Sequence, residues 1–325
     1  MLSTRLLTLI ALLALVRATS IEAISLTDFA NVRLRGEPVE FRGTIVGAED
    51  VSGIAVIGEF LVLASDEVKN PTIVQVLKRE GANYRVLANV QLPGAGEFDL
   101  EAVAADGNVV YITGSHASTR KIKDREIRAP ERKESRQQIF RFRLDETGSA
   151  GPIEGPKSLG SVIEAHPVLG GFIKIASKEN GIDIEGLAVK NGSMYFGFRG
   201  PVLRDGWVPI LVTTWENPAA ANVVYVQLDG RGIRDIAAVK GGFLILAGPI
   251  GDGDISYRLY FWNGADQLGG QSEAKPQQMG EFSDLGDGKP EGLAVLSEQN
   301  NSYYLLIVCD GLPNGAPTRW LLKRP

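Results

Sequence analysis

Residues 181–189 read GIDIEGLAV, and after a Lys-Asn-Gly turn the chain continues as SMYFGFRGP at residues 193–201. Both halves are short apolar runs bounded by turn residues, a pattern typical of a β-hairpin. The same order recurs as DLEAVA before VVYITG (99–114), DIAAV before FLILAGP (235–249), SGIAV before FLVL (52–63) and EGLAV before YYLLIV (291–308). The chain is therefore built from one repeated hairpin.

The spacing of the repeat predicts its architecture. The residue before the small-residue core of each copy lies at positions 52, 101, 185, 235 and 291, which gives intervals of 49, 84, 50 and 56 residues. Three intervals match the roughly 40–50 residues of one four-stranded propeller blade. Helical periodicity is almost absent, so we expect an all-β chain folded as a single closed β-propeller.

The long interval contains a charged segment, residues 117–137, with eight basic and four acidic side chains. No apolar strand pattern is visible in it, so we interpret it as an inserted loop that is exposed, mobile and dispensable for folding. A second irregular stretch occupies residues 165–180. Either both stretches are insertions in blade 2, which gives five blades, the number we favour, or the second stretch is a degenerate sixth blade.

The last repeat is short of strand material, because only residues 319–322 follow Cys309 as an apolar run. Residues 39–46 are predicted to supply the missing outer strand and so to close the ring, leaving no long exposed edge. The propeller is accordingly assigned to residues 39–325, with a lead-in at 21–38.

The first 20 residues have one early cation, an eleven-residue apolar run and a small-residue end, as in a secretory signal peptide. A membrane-spanning helix needs roughly 20 apolar residues, so no membrane span is expected after the signal is removed. Removal of Arg5 and Arg17 takes the formal charge from −5 to −7, which argues against nucleic-acid binding. The expected location is periplasmic or extracellular.

Acidic residues precede the first strand of each repeat, which we expect to line the central channel. They are Asp50, Asp99 with Glu101, Asp183 with Glu185, Asp235, and Glu291. Members of a pair two residues apart face the same way in an extended strand, so the acids should converge on one rim. Oxygen-rich clusters suit calcium, so the functional interpretation is a site for a divalent cation or a polybasic ligand. The alternative is that the acids are structural, and that their carboxylates accept hydrogen bonds from backbone N–H groups and so join neighbouring blades.

Two basic groups complete the candidate site, since His116 and Arg199 each close the second strand of a blade whose first strand carries an acidic pair. They are expected at the same opening, where His116 and the basic insertion could bind an anion. The ligand-binding candidates are thus Asp99, Glu101, His116, Asp183, Glu185, Arg199 and Glu291. The sequence has no His-Glu-x-x-His, Gly-x-Ser-x-Gly or cysteine-histidine metal pattern, and it assigns no catalytic residue.

The hairpin motifs also resemble a known family. DLEAVA followed by GSHA (114–117), DIEGLA followed by GFRGPV (197–202) and GIRDIA followed by LAGP (246–249) are similar to the domain of unknown function 3616, over about residues 40–325. This resemblance implies a β-propeller, found largely in bacteria, with no activity to carry over. The family's usual Gly-Ser-His-Ser ends here in Ala117. A looser similarity links the repeats to esterase-like phytase propellers, as an analogy of fold alone.

Two functions from different classes follow. The first is an exported module that uses one rim of the channel to bind a small anionic or polar ligand, or a protein partner. The alternative is a metal-dependent hydrolase, calcium being the candidate ion, that acts on a phosphorylated or ester substrate at the channel mouth.

Overall fold

A computed structural model describes residues 33–325, apart from residues 35, 67, 69, 70, 95, 124, 252, 269–274, 284 and 285. Five small sheets form a ring, so the predicted five-bladed β-propeller is confirmed and the sixth-blade alternative is wrong. The signal peptide predicted at residues 1–20 and most of the lead-in lie outside the described residues. Within the described part, no helix has the length and hydropathy needed to cross a membrane.

Each blade has four antiparallel strands that follow one another outward from the channel. Blade 1 has Val51–Ile57, Phe60–Ser65, Ile73–Glu80 and Asn83–Gln91; blade 2 has Leu100–Asp106, Val109–Gly114, Ile139–Arg143 and Glu154–Lys157; blade 3 has Asp183–Lys190, Ser193–Gly200, Trp207–Thr214 and Asn222–Gln227. Blade 4 has Gly232–Val239, Gly242–Gly248, Arg258–Trp262 and Gln277–Phe282; blade 5 has Lys289–Gln299, Ser302–Asp310, Thr318–Lys323 and a short fourth strand from the N-terminal segment. Between blades 2 and 3 lie the α-helix Gly160–Ala165 and the 3₁₀ turns Leu169–Phe172 and Ser177–Glu179. Further 3₁₀ turns occur at Glu134–Arg136, Arg204–Gly206 and Pro313–Gly315.

The apolar cores lie between neighbouring blades. Leu187 and Phe196 of blade 3 pack with Ile139 of blade 2, and the same kind of cluster joins each of the other four blade pairs. Leu169 and Ile173, from the irregular stretch between blades 2 and 3, are buried in the first of these clusters. The stretch is therefore part of the core and not a surface decoration.

Small residues in the innermost strands permit this close approach. A Cβ atom at Gly53 would lie 2.9 Å from the backbone nitrogen of Val103 in blade 2. One at Gly186 would lie 2.9 Å from the side chain of Ile233 in blade 4. Larger residues at either position would push the blades apart.

The N-terminal segment closes the ring in a different way from the prediction. Residues 37–38, not 39–46, form the outer strand of blade 5, with Glu37 opposite Arg319. Phe41–Arg42 pairs in parallel with the outer strand of blade 1, and Arg33–Leu34 pairs in parallel with that of blade 4. One short segment thus contacts three blades in succession, because each pairing uses only two residues.

The inserted segment at residues 117–137 is a β-hairpin excursion with buried ends. It contains the short strand pairs Ser118–Thr119 with Glu131–Arg132 and Ile122–Lys123 with Glu126–Ile127. At its base, Ala117, Ser118, Arg136 and Gln137 are buried, and the Ser118 hydroxyl donates to the Ile173 carbonyl over 2.7 Å. The prediction that the whole segment is exposed is therefore wrong at its base, where polar side chains satisfy polar groups between blades.

Candidate functional site

Each innermost strand carries a β-bulge at the same height. In blade 3, Ile184 pairs with Phe198 and Gly186 with Gly197, so that Glu185 has no cross-strand partner. The equivalent unpaired residues of the other blades are Ser52, Glu101, Arg234 and Glu291. A bulge re-aims a side chain, and these positions form a ring of residues around the channel. In blade 4 the equivalent position is Arg234, which corrects the sequence alignment that placed Asp235 there.

The two ends of the channel differ in character. One end holds a space of about 100 Å³ lined by Ala, Val, Leu and Ile residues from all five inner strands. The other end opens into a cavity of about 910 Å³ whose described lining includes twelve acidic and five basic side chains. The four charged bulge residues line this cavity, together with Asp99, Asp183 and Arg199. Function at this channel is expected at the wide, charged end.

A chain of ion pairs crosses three blades at that end. Arg199 binds Asp183 through one nitrogen and contacts Glu185 Oε1 at 2.6 Å through the other. Arg234 contacts Glu185 Oε2 at 2.8 Å and binds Glu291. The Glu185 and Arg234 side chains are each only 4% exposed, so these charges are stabilised mainly by each other.

The insertion supplies a second group of ion pairs. Arg136 donates to Asp99 Oδ2 at 3.1 Å and binds Glu97, which also contacts Lys133 at 3.1 Å. The Ser115 hydroxyl donates to the same Asp99 carboxylate. Burial raises the pKa of Asp99, although the Arg136 charge opposes the shift. The Asp99 carboxylate is consequently already engaged by both a cation and a hydroxyl group.

Glu101 lies between these two groups, and its charge contributes to the raised pKa values of Arg136 and Arg199. Among the described residues, no side chain or backbone group forms a hydrogen bond or ion pair with its carboxylate. Loss of solvent raises the pKa of Glu101 well above its usual value, and the charges of Asp99 and Glu185 add to the shift. One oxygen each from Glu101, Asp183 and Glu185 lie within 4.8 Å of one another.

Asp183 shares this unbalanced environment. Its Oδ2 binds Arg199, but its Oδ1 is buried and accepts no hydrogen bond from the described residues. Burial raises the pKa of Asp183 to about 6, with Arg199 opposing the shift and Glu185 adding to it. The arrangement therefore places three carboxyl groups together, of which Glu101 has no ion pair among the described residues and Asp183 has one buried oxygen without a hydrogen bond.

His116 does not line the cavity. Its side chain is buried, its Nε2 accepts the Leu159 N–H at 3.1 Å, and its Nδ1 accordingly donates to the Gly114 carbonyl at 3.0 Å. Burial lowers the pKa of His116 to about 4, so the ring is neutral at pH 7. The expectation that His116 stands at the opening is wrong, because both ring nitrogens join loops inside the protein.

Asp235 is also a structural group. Its Oδ1 accepts the Ile236 N–H and its Oδ2 accepts the Leu293 N–H, each at 2.7 Å. Because Leu293 belongs to blade 5, Asp235 joins two blades through their backbones. Asp235 thus has the structural role of the alternative interpretation, in which an acid joins neighbouring blades by accepting backbone N–H groups.

Two arginines of the cavity were not predicted. Arg234 could have been found by sliding the fourth repeat one residue, so that Ile233-Arg234-Asp235 aligns with Ile184-Glu185-Gly186. Arg136 gave no comparable signal, because it lies in an insertion outside the repeat. Tyr257 and Lys289 also line the cavity, at positions that the repeat pattern did not mark.

A family profile described as "Protein of unknown function (DUF3616)" matches residues 50–146 and 146–319. The chain belongs to this family. No curated protein sequence matches it at a significant level.

Solved structures with similar folds are distant. An exo-beta-1,3-galactanase from Clostridium thermocellum has 10% identity and a TM-score of 0.49, covering 89% of this chain and 62% of that one. A GH32 beta-fructofuranosidase from Bombyx mori has 11% identity and a TM-score of 0.43, covering 91% and 62%. A tail fiber of Staphylococcus aureus phage P68 has 11% identity and a TM-score of 0.41, and this chain spans 53% of its length. Likenesses of this size do not extend to activity.

Proposed function

We propose that this DUF3616 chain is an exported binding propeller that takes a small, strongly polar ligand in the cavity at the charged end of its channel. The observation that carries the proposal is the asymmetry of the channel, with about 100 Å³ among apolar side chains at one end and about 910 Å³ among charged ones at the other. Small-molecule sites usually occupy about 300–1,000 Å³. The signal-like residues 1–20 support export.

The lining restricts the chemistry of the ligand. Tyr257 is the one aromatic residue among the described lining residues, so the cavity offers little apolar surface. Its acidic excess favours a ligand with a cationic group or one that binds together with a metal ion. Arg199 and Arg234 are already paired with carboxylates, which makes a lone anion the less favoured occupant.

The proposal is tested by obstructing the mouth of the cavity. Gly253 lines the cavity and has no atom within 4 Å of where a Cβ would be, so Gly253→Trp should fill the mouth without disturbing the core. Gly171 has equally open surroundings but lies elsewhere, and Gly171→Trp is the matched control. We expect calorimetric binding of members of a panel of amines, sugars and sugar phosphates to the parent and to Gly171→Trp. Loss of binding should be confined to Gly253→Trp, and equal binding by all three proteins would contradict the proposal.

The second candidate is hydrolysis of a phosphorylated or ester substrate. It is favoured by one observation, that the buried Asp183 carboxyl lies beside Glu101 and Glu185; burial raises its pKa to about 6, which suits a group that exchanges protons near neutral pH. Chromogenic phosphate and ester substrates, assayed with and without calcium, test it. Activity in the parent that Asp183→Asn abolishes, with the fold intact by circular dichroism, would support hydrolysis over binding alone.

A further inference from the structure

We propose that Glu101, Asp183 and Glu185 form a site for one calcium ion at the floor of the cavity. This inference rests on the proposed function, since it names a ligand that would bind within the same cavity. Glu101 and Glu185 are the bulge residues of blades 2 and 3, and Asp183 lies two residues before Glu185 in the same strand.

The spacing of the oxygens fits calcium. One oxygen from each residue lies within 4.8 Å of the other two. Calcium binds oxygen at about 2.3–2.6 Å and can therefore bridge oxygens up to about 5 Å apart, whereas magnesium, at about 2.0–2.1 Å, bridges at most about 4.2 Å. An ion equidistant from the three oxygens reaches each of them at calcium distances where the oxygens are about 4.5 Å apart or less, which lies within the 4.8 Å limit of this group.

Unused oxygen atoms provide the independent observation. Asp183 is 2% exposed, and its buried Oδ1 accepts no hydrogen bond from the described residues. Glu185 Oε2 is ion-paired with Arg234 at 2.8 Å and would be shared between this arginine and a metal ion. A buried carboxylate oxygen without a donor is costly, and a cation would satisfy Asp183 Oδ1. Glu101, whose carboxylate has no hydrogen bond or ion pair among the described residues, supplies the third ligand.

The surroundings select a hard cation. The described lining residues include neither of the softer ligand types, histidine and cysteine, since His116 is engaged by backbone groups and Cys309 is buried elsewhere. Carboxylates alone suit calcium better than zinc. Asp99 is already held by Ser115 and Arg136 and is not needed as a ligand.

The three carboxylates leave coordination positions open. Calcium takes six to eight oxygens, so water or a ligand in the cavity would complete the shell. An acidic or hydroxylated ligand could then bind through the ion, although the lining itself is acidic. The calcium site would in this way determine which polar molecules the cavity accepts.

Isothermal titration calorimetry and thermal unfolding of the full chain, first stripped with a chelator, test the site with calcium chloride and magnesium chloride as probes. We expect calcium to bind with a Kd of 10⁻³ M or tighter, the range of about 10⁻⁷–10⁻³ M seen for sensors and extracellular modules. Saturating calcium should raise Tm by about 3 °C or more. Magnesium should bind at least about tenfold more weakly, because it demands near-ideal octahedral geometry and gives up its water ligands reluctantly.

Glu101→Gln is the decisive variant because it removes a ligand without breaking an ion pair of the described structure. It should weaken calcium binding at least tenfold and leave the Tm of the metal-free protein unchanged or higher. Glu49→Gln, at an exposed acid that lines the same cavity, is the matched control and should bind calcium as the parent does.

Three results would overturn the inference. They are no calcium binding by the parent at millimolar concentration, parent-like binding by Glu101→Gln, and magnesium binding as tight as calcium. If calcium fails to bind but an organic ligand binds in a manner sensitive to Gly253→Trp, the calcium site is wrong and the proposed function stands. If calcium alone binds, the site is supported and the small-molecule function is wrong.

Discussion

Glu291 and Glu101 occupy the same bulge in blades 5 and 2, but their surroundings differ. Glu291 is bound by Arg234 from the adjacent blade, whereas Glu101 has Ser52 and Glu185 at the equivalent positions of its neighbours. The repeat thus determines where a side chain lies, and the residues of the adjoining blades determine whether its charge is balanced. In blades 3, 4 and 5 the acids and arginines form a continuous chain of ion pairs, which we call the balanced arc. In blades 1 and 2 the Glu101 carboxylate has no ion pair among the described residues, and we call this part of the ring the open arc.

The largest expected effect comes from breaking the balanced arc at its centre. Arg234→Met should lower the free energy of unfolding by about 3–5 kcal/mol, because it leaves Glu185 and Glu291 buried with less compensating charge. Urea denaturation at pH 7 measures the loss.

Arg258→Met is the matched control for that experiment. Arg258 lies in the same blade and pairs with Glu281 and Asp229, whose side chains are 37% and 60% exposed. Exposed pairs contribute about 0–1 kcal/mol, so this loss should be far smaller. Equal losses in the two variants would mean that the balanced arc contributes no more than a surface pair.

Asp235 tests a third kind of acid, one balanced by backbone groups. Asp235→Asn should cost about 1–3 kcal/mol, because an amide NH₂ would replace one of the two oxygens that accept the Ile236 and Leu293 N–H groups. The same denaturation measurement applies. An unchanged midpoint would show that the link between blades 4 and 5 does not depend on this carboxylate.

The sequence predicted the fold better than the site for a physical reason. Hairpins, turn residues and small inner positions are local and repeat with a period, so five copies reinforce one another. Charge balance depends on contacts between blades, such as Arg234 with Glu185, and on Arg136 from a non-repeating insertion. The prediction for His116 was wrong because its position near a strand end in the sequence does not reveal that the imidazole is buried and accepts a hydrogen bond from the Leu159 N–H.

Opposite signs are expected for the two equivalent glutamates in the metal-free protein. Glu291→Gln should destabilise the fold by about 1–2 kcal/mol, because Arg234 keeps an amide acceptor but loses a charge. Glu101→Gln should be neutral or stabilising by about 1 kcal/mol or less, since it removes a carboxylate whose pKa is raised by burial and by Asp99. Destabilisation by both variants to the same extent would remove the distinction between the arcs.

The last expected effect is a dependence of stability on pH that separates Asp183 from His116. The pKa of Asp183 is raised from 3.8 to about 6, so between these values the folded protein holds a proton that the unfolded chain has released, and stability falls as pH rises. The pKa of His116 is lowered from 6.5 to about 4, so its contribution has the opposite sign and stability rises with pH over that range. The two effects oppose each other in the parent.

Asp183→Asn should remove only the falling contribution. The difference in unfolding free energy between variant and parent should then shift in favour of the variant as pH rises from about 4 to 6, with a slope below the limit of about 1.4 kcal/mol per pH unit for one group. Arg199, Arg234, Glu185 and Glu101 also face Asp183, so part of the shift will be shared among them and the slope will be shallower than that limit. Denaturation midpoints at several pH values, with Glu49→Gln as the baseline for an exposed acid, measure it. A difference that does not change with pH would show that the Asp183 carboxyl ionises alike in the folded and unfolded chains, and burial of this carboxyl would then carry no electrostatic cost for a cation to relieve.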